Sequence, residues 1–385
     1  MKYLLCLLFL FRFAYAQSYQ KIHEKAVLAD THNDIISTCI EKGYSFDENL
    51  AGKTHSDLAR MKTGGVDVQV FSIWCDGKQP QPFAWANREI DTLYAWVARN
   101  SSSMMIAKTY GDVKKALKQH KLAAMIGVEG GHMIEDDIQK LDSLRKRGTC
   151  YMTLTWNNSN PWATSAMEEI TDSLVHQPKG LSEKGKQIVR RMNELGMMVD
   201  LSHVGEQTFK DAISVTTKPV LISHSCVYNL CPVFRNLKDD QIKALAKNGG
   251  VIQLNFFSGF LDSSFQRKYN AFIALHKNEI DSIKSVNPNS VDSILDKRYA
   301  TEIEKIKAPF SLLFDHLDYI VKLVGIDYVG LGSDFDGISL PPQQLNNVTT
   351  YPLITKELIA RGYSKKDIKK ILGGNFLRVL KANAR

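Results

Sequence analysis

Eight short apolar runs, separated mostly by stretches of helical spacing, constrain this chain more than any other feature. They are Val27–Asp30, Val66–Trp74, Ala123–Val128, Cys150–Thr155, Met197–Leu201, Val220–Ser223, Gly250–Phe256 and Tyr328–Gly332. Each is about strand length and rich in Val, Ile, Leu or aromatic residues. Helix-compatible stretches lie between most of them, at Ala84–Arg99, Glu135–Arg147, Ser182–Glu194 and Lys238–Lys247. Ser182 and Asp239-Asp240 suit helix N-termini. Buried strands alternating with helices predict an α/β fold, a (β/α)8 TIM barrel. The competing doubly wound sheet would carry a glycine-rich phosphate loop after a strand, and the sequence has none.

One interval breaks the alternation. Between the seventh and eighth strand regions, residues 261–309 are strongly charged and predict a helical insertion, exposed and placed to reach the barrel mouth. Its amphipathic parts are Glu279–Lys284 and Asp296–Lys307, with a turn at Asn287-Pro288-Asn289. The 385 residues suit a single barrel with such an elaboration.

The N-terminus is a separate matter. Lys2, the apolar run Leu4–Phe13 and the small residues of Ala14-Tyr15-Ala16 predict a signal peptide over 1–16, leaving a mature domain at 17–385. The run is short for a membrane span, and Lys381–Arg385 lacks the hydrophobic tail of a glycolipid signal. An exported protein, periplasmic or secreted, without a stable membrane anchor is expected. Beyond Cys6, five cysteines remain (Cys39, Cys75, Cys150, Cys226 and Cys231), an odd number without a C-x-x-C pair. They read as buried thiols rather than as a thiolate metal site. The net charge of +8 comes from Lys and Arg scattered along helix faces such as Lys114–Lys121 and Lys365–Lys370. No basic stripe with interleaved aromatics is present, which argues against a nucleic-acid partner. Nothing in the sequence sets the oligomeric state, and a homodimer is compatible with it.

Chemistry-bearing residues gather at the C-terminal ends of the runs, where barrel enzymes place their active sites. Asp30-Thr31-His32-Asn33-Asp34 follows the first run, and His32 and Asp34, two apart, project to one side and can share a divalent ion. Glu129 leaves the third run into Gly130-Gly131, either to bridge two metals or to pair with a lysine. His203 and His224 end the fifth and sixth runs, within Asp200-Leu201-Ser202-His203 and Ser223-His224-Ser225. A lone histidine there reads as core. Two of them beside His32, Asp34 and Glu129 point to metal ligands. In Gly332-Ser333-Asp334-Phe335-Asp336-Gly337, Asp334 or Asp336 can take a proton from a metal-activated water, and Asp334 is nearer the strand end. Arg235, beyond the sixth run, reads as a surface arginine or as a carboxylate receptor.

Together these segments resemble the membrane dipeptidase (renal dipeptidase, M19) family over about Val27 to Val379. The resemblance implies two zinc ions: one held by His32, Asp34 and Glu129, the other by Glu129, His203 and His224, with Glu129 bridging. It implies a dipeptide substrate hydrolysed by a zinc-activated hydroxide, Asp334 as catalytic acid/base, and Arg235 as receiver of the substrate carboxylate. The chain departs from the family pattern at Trp156, where the better-studied members have a substrate-contacting histidine. Asn157 or Asn158 then becomes the substitute donor, with Trp156 and Asn157 in the substrate site. That departure keeps a second activity in view: a related binuclear amidohydrolase acting on N-acyl or D-amino acid derivatives or lactones. The disulfides of the animal enzymes lack matching partners here, and the insertion and missing tail fit a bacterial exported enzyme better.

Overall fold

The computed structural model describes residues 19–171, 178–287 and 291–384. The expected signal segment, and residues 288 and 289 of the expected turn, lie outside them. Eight parallel strands close into a barrel: β1 (Ala29–Asp30), β2 (Val68–Trp74), β4 (Leu122–Glu129), β5 (Thr149–Thr153), β6 (Met198–Asp200), β7 (Leu221–Ser225), β8 (Val251–Leu254) and β9 (Val329–Leu331). Closure is made by β2 against β4, from Val68↔Ala123 to Trp74↔Glu129. A ninth strand, β3 (Met104–Ile106), pairs only with the start of β4. It begins beside Leu122, below the point where β5 joins β4 at Ile126. All eight runs named from the sequence become barrel strands; β3 was not among them.

The pleat divides the strand residues between two apolar clusters. Val68, Val70, Ala123, Met125, Tyr151, Met198, Leu221 and Val251 pack together with Phe376 and Val379 of the C-terminal helix Asn375–Asn383. The alternate positions Phe71, Ile73, Ala124, Ile126, Val128, Met152, Val199, Ile222 and Ile252 pack into the larger cluster with the surrounding helices. Glu129 shares its parity with Ala123 and Met125, and Ser223 with Leu221. This alternation turns the polar residues at the strand ends towards one mouth. Both faces of each strand are buried, which is why the runs read as continuously apolar.

The expected helices form at Pro82–Arg99, Ile138–Arg147, Glu183–Leu195 and Asp239–Asn248. Ser182 caps the third, its hydroxyl accepting the Gly185 N–H at 3.3 Å. Asp239 and Asp240 sit in the first turn of the fourth rather than at its cap, where they complement the helix dipole. Residues 261–309 hold the helices Phe265–Leu275, Lys277–Val286, Val291–Arg298 and Ala300–Ile306. Phe265, Phe272, Ile280, Leu295, Ile303 and Ile306 form a small core of their own with Leu340, from the segment after β9. The five cysteines of the described residues are free and buried. Among these residues no helix is long and apolar enough to cross a membrane.

Candidate metal centre

The strand ends bring five side chains from four strands to one point. Glu129, the last residue of β4, presents its two carboxylate oxygens in different directions. Oε2 lies 3.4 Å from His32 Nε2, whereas Oε1 lies 2.9 Å from His203 Nε2 and 3.4 Å from His224 Nε2. Asp34 Oδ2 stands 3.5 Å from the same His32 nitrogen. The Nε2 atoms of His203 and His224 face each other at 3.0 Å. His203 reaches its place through a left-handed backbone, φ 63°, directly after β6.

Each histidine is held in one tautomer by a neighbour on its far side. Tyr151 donates its hydroxyl to the Thr31 carbonyl at 2.9 Å, so the same oxygen must accept the Nδ1–H of His32, also at 2.9 Å. Ser223 donates to Asp200 at 2.6 Å and accepts from His224 Nδ1 at 2.8 Å. Asn157 offers a carbonyl oxygen, which can only accept, 3.0 Å from His203 Nδ1. In all three rings Nδ1 therefore carries a proton, and Nε2 is the nitrogen that faces Glu129. Orientation of a ligand imidazole through its other nitrogen is the usual arrangement around a protein-bound metal.

The electrostatics agree with that reading. Burial, reinforced by Arg235, pulls the His203 pKa down to about 4, and burial together with His32 also lowers His224. Both are neutral near pH 7, the form that ligates. Burial opposes protonation of His32 as well, yet Tyr151, Glu129 and Asp34 together push its pKa well above the ordinary value. That point in the pocket calls for positive charge. His32 Nε2 and Asp34 Oδ1 are buried without a hydrogen-bond partner. Inward imidazole nitrogens, a two-directional carboxylate and unpaired buried acceptors fit a pair of divalent cations.

The aspartates proposed as proton carriers separate clearly. Asp334, at φ 61°, places a carboxylate oxygen within 4.8 Å of His32 and Asp34 ligand atoms. Burial raises its pKa well above the ordinary carboxylate range, and Asp34 and Glu129 add to the effect. Asp336 is tied to the segment before Asp57 instead: it accepts from the Ser56 hydroxyl and, at 2.6 Å, from the His55 N–H. Gly337 follows them, and a Cβ there would press on the carboxylates of both Asp34 and Asp334.

Asp34, Glu129, His203 and Asp334 line a cavity of about 500 Å3. Trp74, Trp156, Phe234, Phe257 and Phe260 supply much of its wall, and Arg235 lies on it. Arg235 is buried, with its guanidinium 3.3 Å from the His224 carbonyl and 5.4 Å from the Phe260 ring centroid. Among the described residues no carboxylate comes within ion-pairing distance of it. Trp156 packs edge-on to Trp74 at 5.1 Å and stands 6.5 Å from His203. Among the described residues of 261–309, none lines the cavity. The structure brings together His32, Asp34, Glu129, His203, His224 and Asp334, all named from the sequence. Sequence reasoning gave no part to Tyr151, nor to Asn255, which donates to Asp334 Oδ2 at 2.8 Å.

A protein of Schizosaccharomyces pombe described as an uncharacterized dipeptidase is 33% identical over 386 residues, covering 95% of this chain and 82% of the relative. The crystal structure of the probable dipeptidase PvdM from Pseudomonas aeruginosa superposes with a TM-score of 0.77 at 25% identity, covering 96% of this chain and 98% of that one. A metallo peptidase from Rhodobacter sphaeroides, liganded with a phosphinate mimic of the dipeptide L-Ala-D-Ala, shares the fold with a TM-score of 0.73 at 20% identity, over 94% of this chain and 100% of that one. The family model for membrane dipeptidase, peptidase family M19, matches residues 16–385. By sequence across nearly its whole length, and by fold, the chain belongs to the membrane dipeptidase family.

Proposed function

We propose that this protein is a metal-dependent dipeptidase using two zinc ions. One observation carries the reading. The oxygens of Glu129 address two separate ligand sets, while Arg235 stands buried on the same cavity without a carboxylate partner. His32, Asp34 and Glu129 would hold one ion, and Glu129, His203 and His224 the other. When bound, such a pair lowers the pKa of a water and polarises the scissile carbonyl. Arg235 takes the terminal carboxylate of the substrate in a charge-assisted pair, which fixes the distance from that terminus to the peptide bond. Asp334 accepts a proton from the attacking water and delivers it to the departing amine. The aromatic wall keeps bulk water from the bond. Export follows from the Lys2–Ala16 segment and belongs to the same reading.

Elemental analysis of the purified protein, paired with a dipeptide panel, tests the reading. Two zinc per chain, loss of hydrolysis on chelation and recovery on adding zinc are expected. Full turnover by rigorously metal-free protein would sink it. Trp156 supports a second reading, hydrolysis of N-acyl or D-amino acid derivatives or of lactones. Its ring stands 6.5 Å from that of His203 and offers only an indole N–H, which exchanges no proton. Activity on those compounds, with none on any dipeptide, would favour it.

A further inference from the structure

We infer that Asn255 is a positioning residue that decides which oxygen of Asp334 carries the proton; the inference rests on the dipeptidase reading above. Asn255 follows β8 and is fully buried. Its Oδ1 accepts the Phe257 N–H at 2.6 Å, and its own N–H donates to the Ser225 carbonyl at 3.1 Å. With the oxygen end of the amide committed to Phe257, the Nδ2 end must face Asp334, where it meets Oδ2 at 2.8 Å. An amide nitrogen donates and cannot accept. A proton on Oδ2 would turn that oxygen from a carbonyl-type into a weaker hydroxyl-type acceptor for the amide, so the acid form of Asp334 favours its hydrogen on Oδ1.

Oδ1 is the oxygen on the side of Asp34. A Cβ built on Gly337 would lie 2.6 Å from Asp334 Oδ1 while colliding with Asp34 Oδ2, so those two oxygens flank one narrow space. The backbone fixes the side chain from behind, with the Asp334 N–H donating to the His32 carbonyl at 3.1 Å. The proton balance follows. As the water oxygen bonds to the scissile carbon, Oδ1 takes one of its protons. As the C–N bond breaks, Oδ1 gives that proton to the amine nitrogen, and the carboxylate returns to its starting state. Asn255 holds Oδ2 as a permanent acceptor throughout.

Asn255 also closes a turn onto Phe257, and a purely structural role would end there. Asn255→Asp separates the two roles. Aspartate keeps the acceptor for the Phe257 N–H, but two buried carboxyl groups this close share one proton, so Oδ2 of Asp334 no longer faces a permanent donor. Expected for N255D is a kcat lower by about 10- to 100-fold, with KM and bound zinc near the wild-type values. The exchange N255D/D334N restores a donor opposite an acceptor with the roles reversed. It should regain any melting temperature lost by N255D and regain no turnover. Wild-type kcat in N255D, or turnover recovered in the exchange, overturns the inference. Should wild-type protein hydrolyse no dipeptide, the dipeptidase reading falls by itself, and the same variants are compared on the N-acyl amino acid or lactone that it does cleave.

Discussion

His32 takes its orientation from Tyr151, whose hydroxyl is committed on its other side to the Thr31 carbonyl. Tyr151→Phe keeps the ring and removes that oxygen, leaving a buried Nδ1–H unpaired at a cost of about 1–3 kcal/mol. His32 can then rotate or change tautomer. Zinc affinity is expected to fall about 10- to 100-fold in a protein that still folds. Competition against a chelator of known affinity reads this, and unchanged affinity would refute the orienting role. The contrast with His32 itself explains what a sequence makes legible. His32, Glu129, His203 and His224 stand out because a polar, metal-binding side chain at the end of an apolar run has no packing reason to be there. Tyr151 inside an apolar strand reads as core, and Asn255 after a strand reads as a turn residue. Their chemistry depends on which strand lies alongside which. Asn157 carries the same lesson: the sequence offers its amide as a donor to substrate, and the structure shows its carbonyl oxygen facing His203.

At the scale of the element, that dependence is a matter of register. β4 and β5 pair with Gly127 opposite Tyr151, and a bulge between Ile126 and Gly127 sets this alignment. A Cβ at Gly127 would run into the Tyr151 ring. The glycine is therefore present for close approach rather than for backbone freedom. Gly127→Ala should push the ring away from His32, costing about 1–3 kcal/mol through overpacking and weakening zinc binding along with stability. Tyr151→Phe separates the two effects, because it disturbs the metal more than the packing. Thermal unfolding of both variants, with and without zinc, distinguishes them, and a Gly127→Ala protein matching wild type in both respects would contradict the register argument. The strands were legible as elements because all are buried on both faces. β3 was not, since its three residues pair with only one neighbour and two of them are merely half-buried.

The barrel, its helices and the segment after β8 are joined at whole-molecule scale by a histidine outside the candidate ligand set. His316, on the helix Phe310–Val324, is fully buried. Its Nδ1 accepts the Val227 N–H at 3.0 Å, beyond β7, so its Nε2–H donates to the Leu261 carbonyl at 3.1 Å, where the charged segment begins. Both bonds need the neutral ring, and burial pulls its pKa down to about 4. In the unfolded chain a histidine titrates near 6.5. Between those values the unfolded state binds a proton that the folded state refuses, so stability is full above about pH 6.5 and is lost as the pH falls towards 4. One such group removes about 3 kcal/mol across that window, at about 1.4 kcal/mol per pH unit. His316→Gln offers an acceptor and a donor without a titrating proton. Denaturation midpoints should therefore fall less steeply for the variant than for wild type from pH 6.5 to 4.5. Chelator in both samples removes the separate pH dependence of metal binding, and the other buried histidines cancel in the difference. Parallel pH curves for the two proteins would show that His316 is already charged in the fold, and that the join between the barrel and its charged segment is made some other way.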